Sequence, residues 1–295
     1  MNRHYQTLEL DKILELLAGQ TNGPDAAQAA RDLRPVPVLT EVKRMQQETN
    51  AAFTLMARFG SPSFGTLKNN ASSLRRAQAG ASLSMRELLD IAETLRNIRS
   101  VVEWRNHCEG ISCCLDDRFS VLAPNKYLEE KITTSILSEE QMADNASPTL
   151  RDIRRKIRSA SQRVREQMDH MIHSPTYQKF LQDPIVTIRD GRFVVPVKAE
   201  HRADVPGLVH DSSASGATLF VEPMGVVNAN NDIKLLTGQE AEEIDRILAA
   251  LSAETGQFAD AIAEDYTILV ELNLIFAKAR LGYQMKGGMP DITDD

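Results

Sequence analysis

At 295 residues, with 42% hydrophobic and 25% charged residues, the chain has the make-up of a globular protein with room for two or three cored domains. Its formal charge of −7 excludes a uniformly basic nucleic-acid binder and confines any such role to a local patch. The first residues carry no apolar core and no apolar run nears the ~18 residues of a membrane span, so neither a signal peptide nor a membrane partner is expected. Three cysteines, Cys108, Cys113 and Cys114, make no disulfide framework and fit a reducing cytoplasm.

The N-terminal third reads as helices. Thr7 is placed to cap a run with Leu10, Ile13, Leu14 and Leu17 on one face, stopped by Gly19. Thr40 opens a second, with Val42, Met45, Ala52, Phe53 and Met56 spaced for one buried face. The strongest start signal is the capping box Ser84-Met-Arg-Glu87, followed by Leu88, Ile91, Leu95, Ile98 and Val102 at helical spacing. Residues 106–148 are less regular, and Ser138–Ser147 reads as a polar loop.

After Ser147-Pro148, Leu150, Ile153, Ile157, Val164, Met168 and Met171 mark a heptad-like seam on one long helix, expected to run to about Leu181. At 1.5 Å per residue it spans roughly 50 Å. Asp183–Pro223 is the only stretch that reads as β-structure. Ile185–Arg189 and Arg192–Lys198 alternate across Asp190-Gly191, a two-residue hairpin signal. Pro196 cannot donate to a ladder, which places its strand at an edge or on a bulge. Leu208–His210 and Ala217–Val221 read as two more strands, joined by a loop of small residues. A second arm starts near Val226 and runs through Ile233, Leu236, Ile244, Ile247 and Leu251; Phe258–Met285 is a third helical block with a broad apolar face.

The arms differ in charge. Ser147–Asp183 holds eight Lys/Arg against four Asp/Glu, whereas Asp232–Asp265 holds two against nine. Arms that flank an inserted module run antiparallel, so Arg151, Arg154, Arg155, Lys156 and Arg158 are expected to pair with the acidic arm rather than with phosphate. The β-stretch carries four Lys/Arg, outnumbered by its acids, and is no basic funnel.

Tests for chemistry come back empty. There is no GxxxxGK[ST] phosphate loop, no GxGxxG and no GxSxG elbow. His210-Asp211-Ser212-Ser213 collects triad-type residues, but neighbours on a strand point to opposite faces. His170 and His173 lack a third ligand, and His107 with the cysteines matches no zinc spacing. Phe193 and Phe220 could stack on bases, although in a small sheet such aromatics form core. No catalytic or metal residue is assigned.

Longer motifs carry more. ASPTLRDIRRKIRS, VTIRDGRFVVPVKAEHR, HDSSASGATLFVEP and LIFAKARLGYQM, together with LELDKILELLAG and SLSMRELLDIAETLRNIRS near the N-terminus, resemble the MutS family of DNA-repair ATPases, and specifically its second bacterial branch, MutS-two. The resemblance covers essentially the whole chain. It implies a mainly α fold with a small inserted antiparallel β module: a helical core (1–146), an ascending lever helix (147–182), a β clamp (183–223), a descending lever helix (224–256) and a return helix (257–295). It further implies a fragment that precedes an ATPase domain using ATP and Mg and a small nuclease domain. Implied partners are branched DNA or the ribosome and its rRNA, in a homodimer that suppresses recombination or rescues collided ribosomes. Within the clamp, Arg189, Arg192, Lys198, His201, Arg202 and His210 are the candidates for phosphate contact, with the backbone around Ser212, Ser213 and Ser215. The competing reading is an interaction scaffold in which Leu150–Met171 pairs with another subunit and the β module binds protein. If the ATPase domain normally covers part of the core, Ile275, Phe276 and Leu281 are expected to be left exposed.

Overall fold

In a computed structural model that describes residues 7–292, the chain divides into two compact units, Met1–Met142 with Leu248–Asp295, and Ala143–Ile247. The fold is mainly α with two small antiparallel sheets. No helix among the described residues is long and apolar enough to cross a membrane.

The first unit contains α1 (Leu10–Ala18), α2 (Pro24–Arg31), α3 (Leu39–Phe59), α4 (Ala71–Gln78), α5 (Met85–Asn106), α6 (Asp116–Val121) and α7 (Lys126–Ser135). A two-stranded ribbon follows, β1 (Ile136–Ser138) with β2 (Gln141–Met142). The capping box forms as its residues dictate: Ser84 Oγ accepts from the Glu87 N–H at 3.3 Å and Glu87 accepts from the Ser84 N–H at 3.0 Å. Burial favours the neutral acid, but bonds donated to the carboxylate by the Ser73 hydroxyl, the Ser84 N–H, Arg76 and the Ser84 hydroxyl outweigh it and hold the Glu87 carboxyl down at about 2. Leu88, Ile91, Leu95 and Ile98 are buried below that cap.

Several expectations are corrected here. The N-cap position of the first helix is held by Glu9, φ 54°, which makes no side-chain capping bond, where Thr7 was expected. In α3 the buried face is Glu48, Ala52 and Leu55, one step round from the expected stripe, and Phe53 is partly exposed. Ser138–Ser147 is not wholly loop, because residues 136–142 form the β1–β2 ribbon, so Asp183–Pro223 is not the only β-structure. The C-terminal helix, introduced below as α11, buries Ile275, Phe276 and Leu281 rather than exposing them. Phe276 takes Phe64, Trp104 and Phe119 around its ring at 5.9, 5.6 and 6.5 Å between centroids, in edge-on geometry. Leu281 packs with Leu17, Ala18, Ala30 and Ala277.

The second unit opens with α8 (Pro148–Ile172). Ser147 caps it, its Oγ accepting from the Leu150 N–H at 2.9 Å, and Pro148 fits the first turn, where no N–H is required. The helix is 25 residues, about 37 Å by rise, and shorter than expected: it stops at Ile172, and Ser174-Pro175 starts the separate turn α9 (Pro175–Gln178). The seam is real but shifted, with Ala160 and Ile172 buried where Ile157 and Met171 are half-buried.

Four strands follow: β3 (Thr187–Arg189), β4 (Arg192–Lys198), β5 (Gly207–Ser212) and β6 (Thr218–Pro223), in the order β3-β4-β6-β5, all antiparallel. Asp190 (φ 49°) and Gly191 (φ 73°) turn the first hairpin with Arg189 opposite Arg192, the positive-φ pair that a two-residue loop requires. Pro196 is not on an outer strand; it sits opposite Phe220. Its carbonyl accepts from Gln182 at 2.9 Å, so its nitrogen faces the flank where β3 has already ended.

Helix α10 (Val227–Gln257) leaves the sheet and α11 (Ala259–Gln284) follows. Gln167 on α8 donates to Gly225 beside the start of α10, whereas Ser147 at the other end of α8 donates to Glu243, so α8 and α10 run antiparallel. Phe193, Val195, Val197 and Val221 of the sheet close over Val164, Met168, Ile172 and Ile233 as one core.

Candidate functional site

The sheet has a buried polar centre that sequence reasoning passed over. Glu222 on β6 is fully buried. The Arg192 guanidinium on β4 donates to both its oxygens at 2.8 and 3.0 Å and to Asn231 at 2.7 Å. Asn230, also fully buried, donates to Glu222 at 2.8 Å and exchanges two bonds with the Phe193 backbone at 3.1 and 3.2 Å. A β-bulge between Val209 and Asp211 leaves His210 as the extra residue of β5, and its Nε2 reaches the Glu222 carboxylate. A buried carboxylate is tolerable only with such partners. The group therefore ties β4, β5 and β6 to the first turns of α10. An acid inside the otherwise apolar run LFVEP was the available signal, since a charge there has to find a cation.

The nine nominated residues fall into distinct settings. Arg192 and His210 converge on Glu222 and serve the interior of the sheet. Arg202 donates to the Val205 and Gly207 carbonyls at 3.2 and 2.7 Å, which braces the connection into β5. His201 faces Asp204 at 2.9 Å and lies against Phe180, with ring centroids 5.1 Å apart. Lys198 reaches the Lys179 carbonyl at 3.2 Å.

The Arg189 guanidinium carbon sits 4.1 Å from the centre of the Phe220 ring while its Nε approaches Asp211 at 3.2 Å, so the end of β3 reaches across to the β5–β6 hairpin. Ser212, Ser213 and Ser215 form the loop between β5 and β6. Ser213 Oγ accepts from the Thr218 N–H at 3.1 Å, and the Ser212 N–H donates to Asp211 at 2.8 Å. Residues 214–217 are exposed. Phe193 is buried with Arg165 stacked 5.4 Å from its ring, a core position, whereas Phe220 is half-covered by Arg189.

The accessible features are Arg189 on its aromatic platform beside Asp211 and the serine loop that Asp211 leads into; the Asp190-Gly191 turn is exposed too, but the register puts it at the other end of β4 from that loop. A guanidinium on a ring and a run of small residues can meet phosphate and base faces. No group of three or more metal-ligating side chains occurs among the described residues. His107 and Cys108 contact the Glu103 and Trp104 carbonyls, and Cys113 bonds Asp116.

No family model matches the chain. Among curated proteins, it is 41% identical over 292 residues to a protein named Endonuclease MutS2 from Acetivibrio thermocellus, covering 98% of this chain and 37% of that one. A protein of the same name from Ruminiclostridium cellulolyticum is likewise 41% identical over 98% of the chain. One from Pelotomaculum thermopropionicum is 42% identical over 283 residues. The chain thus spans a little over a third of the length of these relatives.

Proposed function

Because the chain belongs to the MutS2 family, we propose that it supplies the nucleic-acid-gripping part of a MutS-like protein, with α8 and α10 as levers and the four-stranded sheet as the clamp. The observation that carries this reading is the similarity, 41% identity over 98% of the chain, to proteins named as endonucleases. Arg189 over Phe220, beside the loop Ser212–Ser215, supports placing the contact on that part of the sheet. Arg192, His210 and Arg202 then hold the clamp in shape, and Arg189 and Lys198 are the cations that touch phosphate. On this reading ATP and Mg binding and strand cleavage belong to stretches of the relatives outside this match. Two clamps in a homodimer enclose branched DNA or ribosomal RNA, in recombination suppression or ribosome rescue.

The test is a set of binding titrations on a four-way DNA junction, a plain duplex and purified ribosomes, with the Arg189→Glu/Lys198→Glu variant alongside. Binding that falls steeply with salt and is abolished in the variant supports the clamp, and the preferred target selects the role. Binding that the variant leaves intact contradicts it.

A second reading has its own observation. Ile185 and Ile188 on one flank of the sheet and Leu208 and Val209 on the other are 52%, 50%, 46% and 43% exposed. Apolar residues along open strand edges suit a protein partner. That reading expects the charge-reversal variant to behave as wild type while Leu208→Lys loses the partner.

A further inference from the structure

Sequence places the cations of α8 against the acids of α10, but among the described residues only Arg154 makes that crossing, donating to Glu240 at 2.6 Å and also to Asp144 at 2.6 Å. Arg158 turns to Asp144 at 2.9 Å, and Arg155 pairs with Asp152 on its own helix at 3.3 Å. Among the described residues, Arg151 and Lys156 meet no carboxylate, and Arg163 bonds only the Ser159 carbonyl of its own turn. Arg151, Arg155, Lys156 and Arg163 are all exposed. The last three line a groove of about 490 Å³ against α10, in which Asp232 is the one acid. A protein of charge −7 therefore keeps an unneutralised cationic strip on the helix that leads into the sheet.

We infer that this strip is a second phosphate-binding surface, along which the backbone of a DNA duplex lies. Lys156 and Arg163, seven residues apart, share the groove-facing side of α8, whereas Arg151 lies about 140° round the helix from Lys156. From Lys156 to Arg163 the helix rises about 10 Å, close to three base pairs at ~3.4 Å each, so the two cations can reach phosphates of one strand. Arginine forks suit phosphate oxygens, and like charges spaced along one helix face repel until a polyanion neutralises them. The inference rests on the nucleic-acid reading above and extends it from the sheet to α8.

The test uses the whole chain with a 20-base-pair DNA duplex, titrated from low to moderate salt. Lys156→Gln/Arg163→Gln removes the charge with residues that keep helix propensity, and circular dichroism checks that α8 persists. The slope of log K against log salt is expected to become shallower by up to about 1.8, some 0.9 for each phosphate that the variant no longer neutralises. Lys156→Arg/Arg163→Lys is expected to retain the wild-type slope. A glutamine variant with wild-type slope, beside an Arg189→Glu/Lys198→Glu variant that binds poorly, overturns the strip and leaves the clamp standing. Strip-dependent binding of an RNA duplex but not of DNA overturns the choice of DNA. A folded wild-type chain that binds no duplex at any salt overturns both.

Discussion

With no exposed surface, Glu222 accepts hydrogen bonds from Arg192 and Asn230 and pairs with His210, so its loss strands a half-buried guanidinium inside the sheet. Glu222→Ala is expected to destabilise the chain by about 3–5 kcal/mol in urea unfolding, and His210→Ala, which leaves the other two partners in place, by about 1–3 kcal/mol. A loss under 1 kcal/mol for Glu222→Ala contradicts this account of the sheet.

Asp265 on α11 presents the opposite case. It is buried with only the Ala123 N–H to accept from, and burial lifts its carboxyl to about 6. The folded pKa lies above the unfolded value, so the stability linked to the protonated form is complete below about pH 4 and is lost as pH rises through 6. At neutral pH the buried charge costs about 3 kcal/mol, two units at ~1.4 each. Asp265→Asn should therefore be more stable than wild type at pH 7.5 and equal to it near pH 4; identical stabilities at both pH values contradict the assignment. Glu222 left one trace in the sequence, an acid within the apolar run LFVEP, whereas Asp265 was not legible, because its burial follows only from the closing of the fold over it.

At the scale of elements, the signals that were read correctly are local ones. The Ser84/Glu87 capping box, Ser147-Pro148 at the head of α8 and the Asp190-Gly191 turn each satisfy specific backbone groups within four residues. Ser147→Ala is expected to cost about 1 kcal/mol, since its Oγ both caps α8 and donates to Glu243 at 2.6 Å. Gly191→Ala, at φ 73°, is expected to cost about 1–2 kcal/mol and to loosen the β3–β4 hairpin in hydrogen exchange.

What was missed depends on distant partners. Helix α7 and the β1–β2 ribbon have too few periodic residues to announce themselves. The burial of Ile275, Phe276 and Leu281 is supplied by elements more than 150 residues away, Phe64 and Leu17 among them. Among the described residues, Arg154 is the only member of the predicted arm-to-arm pairing that found its acid on α10, because Asp144 and Asp152 lie nearer to Arg158 and Arg155. Of the nine nominated residues, sequence could name the cations but not which were already committed to the sheet's own interior.

At the scale of the whole molecule, charge is segregated rather than balanced: a basic α8 and an acidic α10 in a chain of net charge −7. On the proposed reading such a chain meets a polyanion through few cations, so its affinity should be modest, with a salt slope of about 0.9 for each phosphate met. The most direct measurement is hydrogen exchange of the chain with and without a four-way DNA junction at low salt. The account predicts slower exchange confined to residues 189–192, 211–218 and the exposed face of α8, with Met1–Met142 unchanged. Saturating binding with no slowing anywhere in residues 183–223 contradicts it.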